Sequence, residues 1–248
     1  MTTFGSCIRE PKIALFLDVD GTLIEFASSP DAVKVPAALR RTLQAAASRE
    51  EGALAFITGR AIASFDRLFA PELYPVAGLH GLERRDSRGR LHRPPIPPQE
   101  LDHARRVLSD LQAASAGLLL EDKGVGLAMH YRLAPGSEAL VRETMTRLAG
   151  ELGGRYTLRP GKCVWELAPA GYSKRLAIEA FMTEAPFAHR TPVFVGDDVT
   201  DEDGFDAVND LGGYSIRVGD IDASKARYQF DSVSAVIAWL SARNGAPP

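Results

Sequence analysis

Acidic residues follow two short apolar runs of this chain, where a folded protein rarely leaves a charge without a partner. Asp18 and Asp20 follow the run IALFL, and Asp197 and Asp198 follow the run PVFVG. Two carboxylates about 4 Å apart repel each other by about 4 kcal/mol at an effective dielectric constant of 20. Acids held at such positions therefore need a cation, a reaction or both.

A third apolar run ends in a hydroxyl, a glycine and a cation instead of acids. The segment GALAFITGR ends in Thr58, Gly59 and Arg60, and Asp201 lies shortly after the second acidic pair. Ligands of open parallel sheets bind beyond the carboxyl ends of the strands. If the three runs are neighbouring strands, the acids meet one hydroxyl and Lys174, which begins the helix before the last strand.

These side chains suit phosphate chemistry with Mg²⁺, which takes oxygen ligands and usually binds one or two carboxylates together with substrate phosphate. One carboxylate can attack phosphorus and form an aspartyl-phosphate, while the metal offsets charge on the transferring group. Lys174 would hold oxygens of the nucleophile and the phosphate, and Thr58 would donate a hydrogen bond to the phosphate. Asp18 and Asp20 would share a face in a regular strand, and we expect one to attack and the other to handle a proton.

The elements that position these residues follow from the apolar pattern. The three runs are continuous rather than alternating, which is typical of strands covered on both faces of a parallel sheet. Helical patterns lie between them: Pro36 opens one helix, Ser173 caps another, and Thr200 with Asp203 predicts a capping box for a third. This alternation predicts an α/β fold with a doubly wound parallel sheet.

The middle of the chain has a different pattern, after the proline-rich segment RPPIPP. We predict a core domain over 1–97 and 171–248 and an inserted α+β cap domain over 98–170. The elements predicted for the insertion are a helix around 99–114, a hairpin within 117–132, a helix at about 136–152 and a hairpin within 155–169.

The bulk composition excludes several classes of protein. The net charge of −3 argues against a dedicated nucleic-acid binder, and no run approaches the about 20 apolar residues of a membrane-spanning helix. The segment MTTFGSCIREPK has no apolar core like that of a signal peptide, and Cys7 and Cys163 have no metal-ligand or redox spacing. We expect a cytoplasmic monomer whose partner is a small molecule.

Other motifs fit poorly. A calcium-binding EF-hand loop starting at Asp18 would need glycine and glutamate where Leu23 and Ser29 stand. No phosphate-cradling G-x-x-x-x-G-K-[ST] segment occurs, and GVGLAM lacks the third glycine of a dinucleotide fingerprint. Glu202 and Asp203 are explained by the preference for acids in the first turn of a helix.

The catalytic candidates resemble the haloacid dehalogenase-like phosphatases. The segment DVDGT at Asp18 is similar to the family's nucleophile motif, Thr58 matches its hydroxyl motif, Lys174 its lysine, and GDDVTDED its acidic motif. The resemblance implies Asp18 as nucleophile and Asp20 as general acid and base. It also implies Mg²⁺ on Asp18, on the carbonyl of Asp20 and on Asp197, with support from Asp198 and Asp201.

A narrower resemblance, from about residue 12 to 240, is to the trehalose-6-phosphate phosphatases. It rests on the acidic motif, on the segment GLHGLE and on four residues of the insertion. The substrate-binding residues it implies, together with those after the third run, are Gly59, Arg60, His80, Glu121, Lys123, Arg132 and Glu166. Taken alone, Arg60 is equally well an exposed helix residue and His80 a structural histidine. For Glu121 with Lys123 the alternative to substrate binding is an ordinary surface pair.

The resemblance implies Mg²⁺-dependent hydrolysis of trehalose 6-phosphate to trehalose and phosphate, the last step of trehalose biosynthesis. Two alternatives remain open at this point. One is a phosphatase of another sugar phosphate, such as a sucrose or glucosylglycerol phosphate. The other is a sensor that binds a sugar phosphate without cleaving it.

Overall fold

The structure, a computed structural model, describes residues 2–3, 12–25, 34–220 and 223–243. Cys7 and Ser29 lie outside these residues. The chain divides into two compact units. The inserted unit is Pro94–Tyr172, and the core unit comprises the described residues on either side of it. The predicted insertion, 98–170, lies within the inserted unit.

Helices and strands alternate along the core unit. In chain order, the described helices are α1 Ala37–Arg49, α2 Ile62–Phe69, α3 Asp102–Ala114, α4 Glu138–Glu151, α5 Lys174–Met182, α6 Glu202–Asp210 and α7 Val233–Arg243. The described strands are β1 Thr2–Thr3, β2 Ile13–Leu17, β3 Leu54–Ile57, β4 Val76–Gly78, β5 Glu83–Arg85, β6 Leu91–His92, β7 Leu119–Asp122, β8 Leu127–His130, β9 Tyr156–Gly161, β10 Val164–Pro169, β11 Thr191–Gly196, β12 Tyr214–Val218 and β13 Tyr228–Phe230. Strands β2, β3 and β11 coincide with the three apolar runs.

The core unit is built on one sheet with the strand order β1-β13-β12-β11-β2-β3-β4-β5-β6. Among the described strands, pairing is parallel along this order from β1 to β4, and only β4–β5 and β5–β6 are antiparallel. Strands β11, β2 and β3 are adjacent. The condition for bringing the acids, the hydroxyl and the lysine together is therefore met.

Both faces of this sheet are covered, which explains the continuous apolar runs. Ile13, Leu15 and Leu17 of β2 pack into one cluster with residues of α1, α2 and α7. Ala14 and Phe16 point the other way, into a cluster with residues of α5 and α6. Because successive side chains of a strand alternate between faces, a strand covered twice must be apolar throughout. The predicted doubly wound α/β fold is confirmed.

The inserted unit has a four-stranded antiparallel sheet in the order β7-β8-β10-β9. One face carries Leu127, Met129 and Leu167, which are buried in a cluster with residues of α3 and α4. The two hairpins and two helices predicted for the insertion are all present. Among the described residues, no helix is both long and apolar enough to cross a membrane.

Candidate active site

The centre of the site is a buried lysine held by two aspartates. Lys174 is the first residue of α5, whose amino end is capped by the Ser173 hydroxyl accepting from the Leu176 amide. Its Nζ lies 2.8 Å from Asp18 Oδ1 and 2.6 Å from Asp201 Oδ1. All three side chains are buried. Lys174 therefore holds Oδ1 of Asp18, and Oδ2 is the oxygen that could act as a nucleophile.

Asp201 also organises the loop after β11. Its Oδ2 accepts hydrogen bonds from the backbone amides of Asp197 and Asp198, at 3.0 and 2.9 Å. Asp198 and Asp201 form a reciprocal capping box at the short helical turn Val199–Asp201. The predicted capping box of Thr200 with Asp203 is therefore wrong, because the chain turns two residues earlier and α6 continues directly from that turn.

Negative charge is in excess at this centre. Carboxylate oxygens of Asp18, Asp197 and Asp201 lie within 4.8 Å of one another. Burial, with the nearby Asp201 and Asp197, raises the pKa of Asp18 well above its usual range, although Lys174 opposes this. Burial and Asp201 likewise raise the pKa of Asp197 to about 7. Three carboxylates facing one lysine form a group that a divalent cation would neutralise.

The lysine itself stays charged. Burial alone would lower the pKa of Lys174, but the carboxylates of Asp18 and Asp201 raise it above its ordinary value. Asp201 was expected only to support the metal. In the structure it belongs to the acidic cluster, although both its oxygens already accept hydrogen bonds from the protein.

Asp18 and Asp20 do not share a strand face as the strand pattern predicts, because β2 ends at Leu17 and both acids lie in the following loop. The Asp18 amide donates to the Val195 carbonyl at 2.9 Å. Asp20 instead faces Arg60, whose Nε and Nη2 donate to Asp20 Oδ2 and Oδ1, each at 2.6 Å. Arg60 is thus not an exposed helix residue but a bidentate partner of the second acid.

The hydroxyl motif is held by the segment after β4. The Thr58 amide donates to the Ala77 carbonyl at 2.9 Å, and its carbonyl accepts from the His80 amide at 3.0 Å. His80 is buried, and a Cβ added to Gly59 would come within 2.7 Å of its Nε2. His80 therefore lies directly against the loop that carries Thr58, which is where the GLHGLE segment places it.

Glu83 ends that segment and supports α2. It is buried, its Oε1 accepts from the Ile62 amide, and its Oε2 lies 2.7 Å from Arg93 Nε. Ile62 is the first residue of α2, where a carboxylate is favoured by the helix dipole. The sequence match pointed to Glu83, but only the fold shows that it holds the loop next to Arg60.

The inserted unit carries a second polar group on the sheet face opposite its apolar core. Glu121, Ala128, Glu166 and Arg159 are cross-strand neighbours in one row. Lys123 Nζ lies 2.7 Å from Glu166 Oε2, and both side chains are about nine-tenths buried. Glu121 and Lys123 are therefore not an exposed surface pair, because Lys123 is buried against Glu166.

One histidine and one arginine of the inserted unit complete this description. His130 Nε2 lies 2.9 Å from Glu121 Oε2. Burial would raise the pKa of Glu121, but the His130 hydrogen bond and Lys123 outweigh it and lower that pKa. Arg132, predicted to bind substrate, is exposed and donates from Nη2 to the Lys162 carbonyl at 3.2 Å.

Sequence reasoning missed three contributors. Thr22 donates from Oγ1 to Asp197 Oδ1 at 3.2 Å. The two residues are 175 positions apart in the sequence, so no local pattern pairs them. Arg159 lies in the polar row described above, on the polar side of the alternating strand β9, whose other side packs Tyr156 and Leu158 into the core. Arg217 is a buried cation in the apolar stretch YSIRV, and that contrast is the signal that could have identified it.

Comparison with known protein families places this sequence in one of them. A family model described as trehalose-phosphatase matches residues 16–234. This chain belongs to the trehalose-phosphatase family. A probable trehalose-phosphate phosphatase of Sinorhizobium fredii is 43% identical over 92% of this chain and 86% of its own length. The trehalose-6-phosphate phosphatase of Escherichia coli is also 43% identical, over 92% of this chain and 85% of its own length.

Solved structures agree on the fold. The C-terminal domain of a C. albicans trehalose-6-phosphate phosphatase matches with a TM-score of 0.82, at 19% identity, over 96% of this chain and 93% of that one. At this identity the likeness concerns the fold alone. Family membership itself rests on the sequence comparisons, which span nearly the whole chain.

Proposed function

We propose that this protein is a Mg²⁺-dependent phosphatase that hydrolyses trehalose 6-phosphate to trehalose and phosphate, the last step of trehalose biosynthesis. The observation that carries the proposal is the buried Asp18–Lys174–Asp201 triplet beside Asp197. It supplies a fixed nucleophile, a permanent cation and an acidic cluster in a chain of the trehalose-phosphatase family.

The acidic cluster fits Mg²⁺ by the chemistry of its donors. All of them are oxygens, and the raised pKa values of Asp18 and Asp197 indicate negative charge that the protein alone does not balance. We assign the ion to Asp18, Asp197 and the carbonyl of Asp20, with Asp198 and Asp201 in supporting roles. Bound there, Mg²⁺ would offset the charge on the transferring phosphoryl group.

The protein's own residues then divide the reaction into two steps. An oxygen of Asp18 attacks phosphorus, the bond from phosphorus to the sugar oxygen breaks, and Asp20 gives that oxygen a proton. Water next attacks the aspartyl-phosphate and gives a proton to Asp20, which releases phosphate and restores the Asp18 carboxylate. Lys174 holds Asp18 in place, and the Thr58 hydroxyl donates to a phosphate oxygen.

Arg60 has a defined part in this scheme. Both oxygens of Asp20 accept from it in the structure, so Asp20 must release at least one of these bonds to reach the leaving oxygen. A phosphate offers Arg60 a geometrically equivalent bidentate acceptor. We therefore assign Arg60 to the phosphate in the substrate complex and to Asp20 in its absence, with Gly59 and His80 shaping the same loop.

The polar face of the inserted unit is assigned to the sugar. A disaccharide offers many hydroxyl groups, which donate to carboxylates and accept from lysine and arginine. Glu121, Lys123 and Glu166 provide such groups, and the ion pair of Lys123 with Glu166 fixes two of them. Arg132 is assigned to the same ligand. In this proposal the inserted unit is the cap that determines specificity.

The remaining assignments follow from the same reaction. The partner is a small sugar phosphate, so the proposal includes no nucleic acid and no membrane. Two cysteines in 248 residues fit a reducing compartment, and we propose that the enzyme is cytoplasmic. We propose that it acts as a monomer.

The test is phosphate release from trehalose 6-phosphate, sucrose 6-phosphate, glucose 6-phosphate and an aryl phosphate, each with Mg²⁺ or with a chelator. We expect Mg²⁺-dependent turnover with a strong preference for trehalose 6-phosphate, and a loss of at least about 10³-fold in Asp18→Asn. Preference for another sugar phosphate would retain the reaction and reject the sugar assignment. Binding without turnover would identify a sensor, and full activity of Asp18→Asn would reject the nucleophile.

A further inference from the structure

Arg217 is a buried cation with no assigned part in the reaction described above. It lies on β12 opposite Gly196 of β11 in the parallel register, and only 3% of it is exposed. Its strand neighbours, Ile216 and Val218, are buried apolar residues of the core. These neighbours point to the opposite face of the sheet. Burying a guanidinium is costly unless it is paired and hydrogen-bonded, so its contacts need an explanation.

Arg217 contacts the loop after β11 and the start of α6. Arg217 Nη2 donates to the carbonyl of Asp197, and Nη1 donates to Glu202 Oε1 at 3.0 Å. Its Nε has no hydrogen-bond partner among the described residues. An apolar side chain would avoid that cost and fill the same strand position. The arrangement is therefore better explained by what the guanidinium holds than by core packing.

Glu202 is fixed as firmly as the arginine. Its Oε1 also accepts from the Ser224 hydroxyl at 2.8 Å, and its Oε2 accepts from the Lys225 amide at 2.7 Å. The explanation of Glu202 by the helix dipole alone is therefore incomplete. This carboxylate joins the start of α6 to Arg217 and to the segment before β13.

Asp197 is consequently held by hydrogen bonds at its amide, its carbonyl and its carboxylate. Its amide donates to Asp201 Oδ2 at 3.0 Å, its carbonyl accepts from Arg217, and its carboxylate accepts from the Thr22 hydroxyl at 3.2 Å. Asp201 and Thr22 both belong to the acidic centre, whereas Arg217 reaches it from the neighbouring strand. Removing Arg217 would leave the carbonyl side of this peptide without its donor.

We propose that Arg217, braced by Glu202, is a positioning residue that sets the orientation of Asp197 for the divalent cation. The inference rests on the proposed function, because it concerns the metal that the function requires. Arg217 bonds the backbone carbonyl of Asp197 and not the carboxylates of Asp18, Asp197 or Asp201, and it does not touch the phosphate in this scheme. Its effect should therefore appear in metal affinity and not in the chemical step.

The test uses the full chain and compares Arg217→Met, which keeps the aliphatic stem and removes every donor, with Arg217→Lys and Glu202→Gln. Arg175→Met is the matched control, because Arg175 is an arginine of the same unit that pairs with Glu179 and Asp210 at the surface. Mg²⁺ and Mn²⁺ binding is measured by calorimetry on metal-free protein, with circular dichroism to check folding. Turnover is then measured as a function of Mg²⁺ concentration.

Loss of an outer support of a metal ligand typically weakens metal binding 10–100-fold. We expect a rise of about 10–100-fold in the Mg²⁺ Kd of Arg217→Met, about 3–10-fold in Arg217→Lys and Glu202→Gln, and none in Arg175→Met. At saturating Mg²⁺ the kcat of each folded variant should return to within about threefold of the original.

A folded Arg217→Met that binds Mg²⁺ as tightly as the original protein would overturn the inference, even if it were less stable. If that variant does not fold, unchanged Mg²⁺ binding by Arg217→Lys and Glu202→Gln would overturn it equally. An original protein that binds no divalent cation would overturn the proposed function first and this inference with it. The two failures are therefore distinguishable.

Discussion

The partly buried carboxylate of Asp197 lowers the stability of the metal-free protein when it is ionised. An aspartate in an unfolded chain ionises near pH 3.9, whereas burial and the neighbouring Asp201 raise the pKa of Asp197 to about 7 in the folded protein. Between these values the folded state binds more protons than the unfolded state. Its stability therefore falls as the pH rises from about 4 to about 7 and levels off above that.

Asp197→Asn should consequently stabilise the metal-free protein. We expect a gain of about 2–4 kcal/mol in the free energy of unfolding at pH 8, shrinking as the pH falls toward 4. The measurement is denaturant unfolding in a chelator at pH 5 and pH 8. Asp210→Asn, at an exposed carboxylate, is the control and should show no such pH-dependent gain. A destabilised Asp197→Asn at pH 8 would mean that the carboxylate is not under electrostatic strain.

At the scale of elements, the loops after β3 and β4 act as one unit. Gly59 has no room for a side chain, because an added Cβ would lie 2.7 Å from His80 Nε2. The His80 amide in turn bonds the Thr58 carbonyl. A side chain at Gly59 must therefore displace either the histidine or the segment that carries Thr58 and Arg60.

We expect Gly59→Ala to lower kcat/KM about 10–100-fold, since a displacement of 1 Å can cost that much in a positioned site. Circular dichroism and thermal unfolding should show a folded protein. Gly150→Ala is the matched control, because an added Cβ meets nothing within 4 Å there and alanine is favoured in a helix. Unchanged turnover in Gly59→Ala would show that the two loops move independently.

The elements also show what could be predicted from the chain alone. Strands β2, β3 and β11 were predictable because each is covered on both faces and so is apolar throughout. The capping box was misplaced by the sequence pattern, because Asp198 with Asp201 and Thr200 with Asp203 both have suitable residue types and spacing. Which pair forms the box depends on where β11 ends, and its last residue, Gly196, pairs with Arg217 of β12, which lies far along the chain.

Side chains that meet from distant parts of the chain were the least predictable. Lys123 and Glu166 belong to different hairpins and meet through the register of β7, β8 and β10. Arg217 acquires its role only because β12 lies next to β11. The resemblance to a family supplied the candidates, but these pairings depend on sheet order, which no local pattern contains.

At the scale of the whole molecule, the two units provide different chemistry. The core unit holds the buried acids, the lysine and the hydroxyl. The inserted unit holds carboxylates and a lysine on one face of an antiparallel sheet. If the inserted unit recognises only the sugar, then changes there should affect substrates that carry the sugar and spare a phosphate ester that lacks it.

Glu121→Gln and Glu166→Gln test this division. Each replaces a carboxylate that we assign to the sugar hydroxyls with a neutral amide, and hydrogen bonds to charged groups contribute about 1.5–3 kcal/mol, or roughly 10–100-fold in kcat/KM. We expect losses of that size with trehalose 6-phosphate and less than about threefold with an aryl phosphate. Glu151→Gln, at a half-exposed carboxylate of α4 paired with Arg147, should change neither. Equal losses on both substrates would instead place these glutamates in the folding of the unit, because only a general defect reaches a substrate that has no sugar.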